Sequence, residues 1–369
     1  MQRLLICAGG TGGGIYPAIA VLEALNQDEI EVLWVGSQNG LDADLVRNAS
    51  TVNFVDIPSA GLHGVGLRTL PSNAMKLING FLESKKIIKS FQPHVIFFTG
   101  GYVAVPMSLA ASSVPQVVFV PDIEPALALR QITRSAQKIA LSVPESKQYF
   151  KKNKAKLTIT GYPTRMRFAN INKADAVKAF GISESSSTVL VFGGSRGARS
   201  INHALLGILP DLIDSVQIIH ISGELDWPMV SDYYAGMSQT ARRNYFPYPY
   251  LHRKMPHAMR AADLVVSRAG ASTIGEYPML GLPAILVPYP HAWKYQKHNA
   301  DYLVDQGAAM LLPDEELPQK LLPSILGLIH NPEKLIEMKT NMLQLARPDA
   351  ATEIVKLITD IQANKERKS

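Results

Sequence analysis

Residues 189–202, VLVFGGSRGARSIN, constrain this chain more than any other stretch. The apolar run reads as a buried strand, Gly193, Gly194 and Gly197 as a tight turn, and a helical pattern follows from about Asn202. A strand that feeds such a turn into a helix start presents backbone N–H groups with no intrahelical partner. These suit an anion, usually a phosphate or diphosphate. A plain strand–helix turn whose glycines only permit positive φ fits the same residues. The arrangement recurs at residues 3–25, RLLICAGGTGGGIYPAIAVLEAL, with Pro17 suited to the first helical turn. The two Gly-Gly pairs, at Gly9 and Gly193, stand close to half the chain apart. They predict two α/β domains, each with a glycine turn at the carboxyl ends of its strands.

The bulk numbers agree with that division. A chain of 369 residues is long for one core and comfortable for two. Its 47% apolar and 18% charged residues describe an ordered globular protein. Cys7 is the single cysteine and lies in the first strand, which excludes an internal disulfide and a thiolate metal site. The apolar run before Gly9 is too short for a secretory signal, and no apolar stretch is long enough to span a bilayer. A cytoplasmic protein is expected. The net charge of +6 suits anionic substrates or an anionic bilayer face, and no nucleic-acid signature accompanies it.

Along the first half, residues 31–36 read as the second strand. Gly36, Ser37 and Gln38 stand at its end, where a dinucleotide fold would place an acidic residue, which argues against NAD. Residues 70–91 form an apolar-striped helix through Leu70, Ala74, Leu77, Ile78, Phe81 and Leu82, with Lys85, Lys86 and Lys89 near its end. The pattern fits a core-facing helix whose lysines complement the dipole, and equally a face that meets lipid. The strand 94–99 runs into Gly100, Gly101 and Tyr102, and the strand 116–120 runs into PDIEP, so Asp122 and Glu124 also lie at the carboxyl edge. Helix capping is the other account of those two carboxylates. GYPTR, residues 161–165, closes the first domain and leaves Arg165 near the hinge, facing an interdomain cleft or solvent.

The second half repeats the logic. Residues 245–255 read as a strand leading into a cleft-edge loop, and residues 263–267 as a strand followed by RAGASTIGE. Glu276 then lies in the first turns of a helix, where a carboxylate can accept both hydroxyl protons of a ribose. Gln296 and Asn299 can read sugar hydroxyls without charge. Two helical segments follow over 317–345, and a terminal helix begins at about Ala350.

The sequence resembles the MurG family of peptidoglycan transferases over nearly its whole length. The resemblance is carried by GGTGG at 9–13 with PAIA at 17–20, GGY at 100–102, GGSRGAR at 193–199, SRAGASTIGE at 267–276, GLPAILVPYPH at 281–291 and QKHNA at 296–300. It implies an α/β GT-B fold of two Rossmann-like domains facing across a cleft. The expected parts are an acceptor and membrane-facing domain over 1–163, a UDP-sugar domain over 164–348, and a terminal helix over 349–369 able to pack back on the first. It implies inverting transfer of N-acetylglucosamine from UDP-N-acetylglucosamine to lipid I, an undecaprenyl-diphosphate-linked sugar, giving lipid II. No metal or cofactor is implied, and the protein would sit peripherally on the cytoplasmic face of the membrane.

Matched by position, Ser195 would contact the donor diphosphate, Glu276 the ribose and Gln296 the sugar, with Arg165 near the nucleotide. Leu251 or His252 would hold the uracil through backbone groups. Thr11, Gly12, Gly13 and Tyr102 fall on the acceptor side. The departures are there too. Gly14 stands where the family carries a histidine after GGTGG, and PDIEP replaces a His-Glu-Gln-Asn element. With no side chain at Gly14, Asp122 and Glu124 are the candidates for the catalytic base, with Glu124 favoured. A related transfer to another lipid or polyprenyl-diphosphate acceptor is the second reading. A nucleotide-sugar epimerase and a non-catalytic interaction protein are others.

Overall fold

A computed structural model describes residues 2–366 other than 11, 27, 39, 41, 62–69, 169–170, 195–196 and 292–294. The chain forms two compact units, Met1–Arg165 with Arg347–Ser369, and Met166–Ala346. Arg165 thus belongs to the first unit, not the second as its motif suggested, because the chain changes unit one residue later.

The first unit holds a parallel sheet of β1 (Gln2–Ala8), β2 (Ile30–Ser37), β3 (Asn53–Ile57), β4 (Val95–Gly100), β5 (Gln116–Val120), β6 (Lys138–Leu141) and β7 (Leu157–Ile159). Their order across the sheet is β3-β2-β1-β4-β5-β6-β7. The second unit holds β8 (Thr188–Phe192), β9 (Gln217–Ile221), β10 (Tyr245–Tyr248), β11 (Leu264–Ser267), β12 (Ala284–Leu286) and β13 (Ala309–Leu311), in the order β10-β9-β8-β11-β12-β13. Central strands are buried on both faces, which is why they read as unbroken apolar runs: Leu4, Leu5, Ile6 and Cys7 are fully buried, as are Val189, Leu190 and Val191. Burial also pushes the Cys7 thiol up and leaves it an inert packing group.

In each sheet the strand order reverses beside the first strand of the unit, between β1 and β4 and between β8 and β11. Loops leaving the carboxyl ends of such a pair diverge to opposite faces and open a crevice, the ligand position of doubly wound sheets. Both glycine turns stand at these two points.

Two local expectations change. The first helix is Gly12–Ala24, so Pro17 lies inside it and not in its first turn. Pro17 has no N–H for the carbonyl of Gly13, four residues back, and that oxygen instead faces the Tyr162 hydroxyl at 3.5 Å. After β10 the expected strand gives way at Tyr248 to the expected loop, which turns through His252–Lys254 into a short helix that the sequence did not signal, Met255–Ala261. The terminal helix Ala350–Glu366 belongs to the first unit and packs on the helix Gly12–Ala24, with Ile354 and Ile358 fully buried.

Candidate functional site

In the second unit the site begins where β8 ends. Gly197 has φ +76° and lies so close to the carbonyl of Ser222 that a Cβ would collide with it. Its N–H donates to the Gly194 carbonyl at 3.0 Å, closing the turn, and the helix Arg199–Leu212 follows at once. That helix starts three residues earlier than its apolar pattern indicated. Ser195, the expected diphosphate contact, lies outside the described residues, as does Arg196.

Across the switch point, β11 delivers Arg268 into a part-buried polar cluster. Its guanidinium bonds Asp314 and donates to the Ser200 hydroxyl at 2.8 Å and to the carbonyls of Val287 and Pro288 at 3.2 and 3.4 Å. Ser200 donates in turn to Asp314 at 2.8 Å, and the guanidinium carbon lies 5.2 Å from the centre of the Tyr289 ring. One planar cation thereby ties the helix after β8 to the segments leaving β11, β12 and β13. Its five donors in a fixed plane suit that task, which a single ammonium cannot perform.

The helix Thr273–Leu280 follows, with Glu276 buried in its first turns. Beneath it the Ser267 and Tyr277 hydroxyls meet at 2.6 Å, and burial raises the Tyr277 phenol. Asn299 is fully buried and donates to the Ala269 carbonyl at 3.2 Å, so it supports the loop and does not present itself to a sugar. Gln296 is nearer the surface and accepts from the Tyr289 N–H at 2.9 Å. Leu251 is buried, and exposed His252 adopts φ +41° with its ring edge-on to Tyr250 at 4.6 Å. Glu276, Gln296 and the 251–252 pair therefore sit on segments leaving one sheet edge. Arg165 is the last residue of the first stretch of the first unit, and its guanidinium carbon lies 4.1 Å from the centre of the Tyr16 ring.

The first unit has its own edge. Gly101, at φ +87°, packs on the carbonyl of Gly9 so closely that no Cβ fits between the two turns. Tyr102 follows and is 53% exposed, enough for its ring to meet a ligand. Gly12 and Gly13 open the first helix, and Thr11 lies outside the described residues. A Cβ on Gly14 would find its nearest neighbour, the Thr99 carbonyl, at 3.5 Å, so the backbone here does not demand glycine. Asp42, which the sequence did not single out, is fully buried and accepts from the N–H groups of Gly10 at 3.0 Å and Ser37 at 2.7 Å. An aspartate opening a helix is too common a pattern to have signalled this.

The two candidate bases differ. Glu124 is bound by Arg130 at 2.6 Å, and Arg130 also donates to the Pro125 carbonyl and lies 5.4 Å from the centre of the Tyr149 ring. Asp122 is half-buried in the same turn, whose start is held by Ser142 donating to the carbonyls of Val120 and Pro121.

Residues 4–123 match the glycosyltransferase family 28 N-terminal domain, and residues 188–354 match the family 28 C-terminal domain. A protein of Desulforamulus reducens named UDP-N-acetylglucosamine–N-acetylmuramyl-(pentapeptide) pyrophosphoryl-undecaprenol N-acetylglucosamine transferase is 36% identical, over 98% of this chain and 99% of its own length. A protein of the same name from Roseiflexus is 34% identical, over 96% and 94%. Among solved structures, MurG of Acinetobacter baumannii superimposes with a TM-score of 0.74 at 24% identity, over 98% of this chain and all of its own. A UDP-N-acetylglucosamine 2-epimerase of Neisseria meningitidis gives 0.68 at 17% identity, over 98% and 100%. At such identities the two structures speak for the fold alone, and it is GT-B: two Rossmann-like domains with parallel sheets.

Proposed function

Because the chain belongs to glycosyltransferase family 28, we propose that it moves N-acetylglucosamine from UDP-N-acetylglucosamine to lipid I, forming lipid II for peptidoglycan. It is a UDP-sugar-dependent glycosyltransferase. The observation that carries the acceptor reading is full-length identity of about 35% to transferases named for that reaction. The epimerases share the fold at 17% identity or less among the structures compared, which says nothing of their chemistry here. The direct test supplies UDP-N-acetylglucosamine with lipid I, with other polyprenyl-diphosphate sugars, and alone, and weighs the products. Lipid II is the expected product. Transfer only to another carrier would move the acceptor assignment, and an epimerised sugar nucleotide made without acceptor would replace transfer by epimerisation.

In this reading the donor lies over the carboxyl edge of the second unit. The turn after β8, with Ser195, takes the diphosphate through backbone N–H groups at a helix start. Glu276 accepts from the ribose hydroxyls, Gln296 reads the sugar, and backbone groups at 251–252 hold the uracil. Loss of a charged acceptor to a buried hydroxyl costs about 1–3 kcal/mol. Calorimetry with UDP should therefore show E276A weakened by about that amount, and equal affinity in wild type and variant would take Glu276 out of the site.

The acceptor's lipid is met at a bilayer surface, by peripheral attachment on the cytoplasmic face. Among the described residues no helix is long and apolar enough to cross a membrane. The helix Leu70–Phe91 supports attachment by a narrower stripe than its sequence showed. Met75, Ile78 and Leu82 are 58, 54 and 51% exposed, whereas Leu77 and Phe81 are half-buried. Exposed Lys85, Lys86 and Lys89 follow toward its end. Apolar insertion flanked by lysines binds anionic lipid in a salt-sensitive way. The double variant I78Q/L82Q should sediment less with anionic liposomes at low salt than wild type, with its melting temperature kept. Undiminished sedimentation would remove this helix from the membrane contact.

A further inference from the structure

One set of buried polar side chains lies behind the diphosphate turn and has no part in the chemistry above. His220 is the fourth residue of β9, in the run QIIHI, and is fully buried. Its Nε2 lies 3.0 Å from Asn202 Oδ1 and its Nδ1 2.7 Å from the Tyr245 hydroxyl. The amide nitrogen of Asn202 donates to the Ser222 carbonyl and to Asp226 Oδ2, each at 2.9 Å. Both partners are acceptors, so Oδ1 of Asn202 must accept. The Nε2–H of His220 then donates to it, and the bare Nδ1 accepts the Tyr245 O–H. Burial lowers His220 to about 3, so the ring is neutral and held in one tautomer. The other oxygen of Asp226 takes Arg199 Nε at 3.0 Å, and Arg199 is the first residue of the helix after the turn.

The bonds converge on the turn itself. The Ser222 carbonyl that Asn202 holds is the same oxygen against which Gly197 packs without room for a Cβ. Asn202 lies in the first turn of the helix Arg199–Leu212, and its backbone N–H bonds Ala198 at 3.0 Å. We infer that Asn202, His220 and Asp226 are positioning residues for the donor diphosphate: they fix the last glycine of the turn and the first turn of the helix, so that its N–H groups meet phosphate. Apolar side chains would fill the same space, but they would not set the rotation of the helix start. Hydrogen bonds of defined direction do. The inference rests on the donor reading given above.

A phosphate-positioning role separates from a structural one by comparing UDP with uridine, which shares the base and ribose contacts and lacks the diphosphate. Calorimetry, with uridine measured by competition, should show N202A and H220L losing UDP affinity by about 10-fold or more, as expected when charge-assisted bonds are mis-set. Uridine affinity should stay within about twofold. H220Q should recover most of the loss, since its amide can donate to Asn202 Oδ1. D226N, which keeps the side-chain volume, carries the same comparison should N202A not fold. An equal fall for UDP and uridine, or no fall for either, would overturn the assignment. Wild-type protein without affinity for UDP would overturn the donor reading itself and this inference with it.

Discussion

Replacing Arg268 by alanine should destabilise the second unit by about 2–4 kcal/mol, somewhat below the range for breaking a fully buried ion pair from one side, because this pair is part-buried. The side chains of Arg268 and Asp314 are only 9 and 18% exposed, so the carboxylate left behind loses its partner where water has little access. The carbonyls of Val287 and Pro288 lose a part-buried donor as well, which adds to the cost. Against a total stability of about 5–15 kcal/mol this is a large fraction. Urea unfolding of the full chain should show an early transition at the lower midpoint in R268A. R268K should fall between, because lysine keeps the charge but cannot serve a carboxylate, a hydroxyl and two carbonyls in one plane. An unchanged midpoint in R268A would mean that the cluster holds nothing together.

The larger kinetic effect is expected in the turn after β5. An inverting displacement needs a group to take the acceptor hydroxyl's proton as the new bond forms, and Gly14 has none to offer. Asp122 and Glu124 stand in that turn, and we propose that one of them takes the proton, with Glu124, held by Arg130 at 2.6 Å, favoured. The variant of the base, E124Q or D122N, should lose at least about 100-fold in turnover at saturating donor, the usual range for a general base, with UDP affinity intact. A larger loss in D122N would move the role to Asp122, and near-normal turnover in both would remove the carboxylates from proton transfer.

The parts of this protein legible without coordinates are those written in consecutive residues. Strand, glycine turn and helix at residues 3–25 and 189–202 declare parallel α/β units, because a buried parallel strand is an apolar run and a tight turn needs glycine. A polar residue inside an apolar strand, His220, was the one local sign of the network behind the turn, and nothing in its neighbours told which partners it had. Arg165 read as part of the donor side by motif, yet the chain changes unit only after it.

The sequence by itself determined the fold class and the family, and pointed to the carboxyl edge of each sheet as the place of the proposed site. Only the tertiary structure decided which polar groups are spent on architecture and which remain for a ligand. Asn299 looks like a sugar-reading residue in the chain, but it is fully buried and supports the Ala269 carbonyl. Arg268, Ser200 and Asp314 are up to 114 residues apart and meet in one cluster. The reason is physical. A backbone conformation is encoded by neighbours along the chain, whereas the partner of a side chain is set by which strands lie next to each other, and strand order is not a local property.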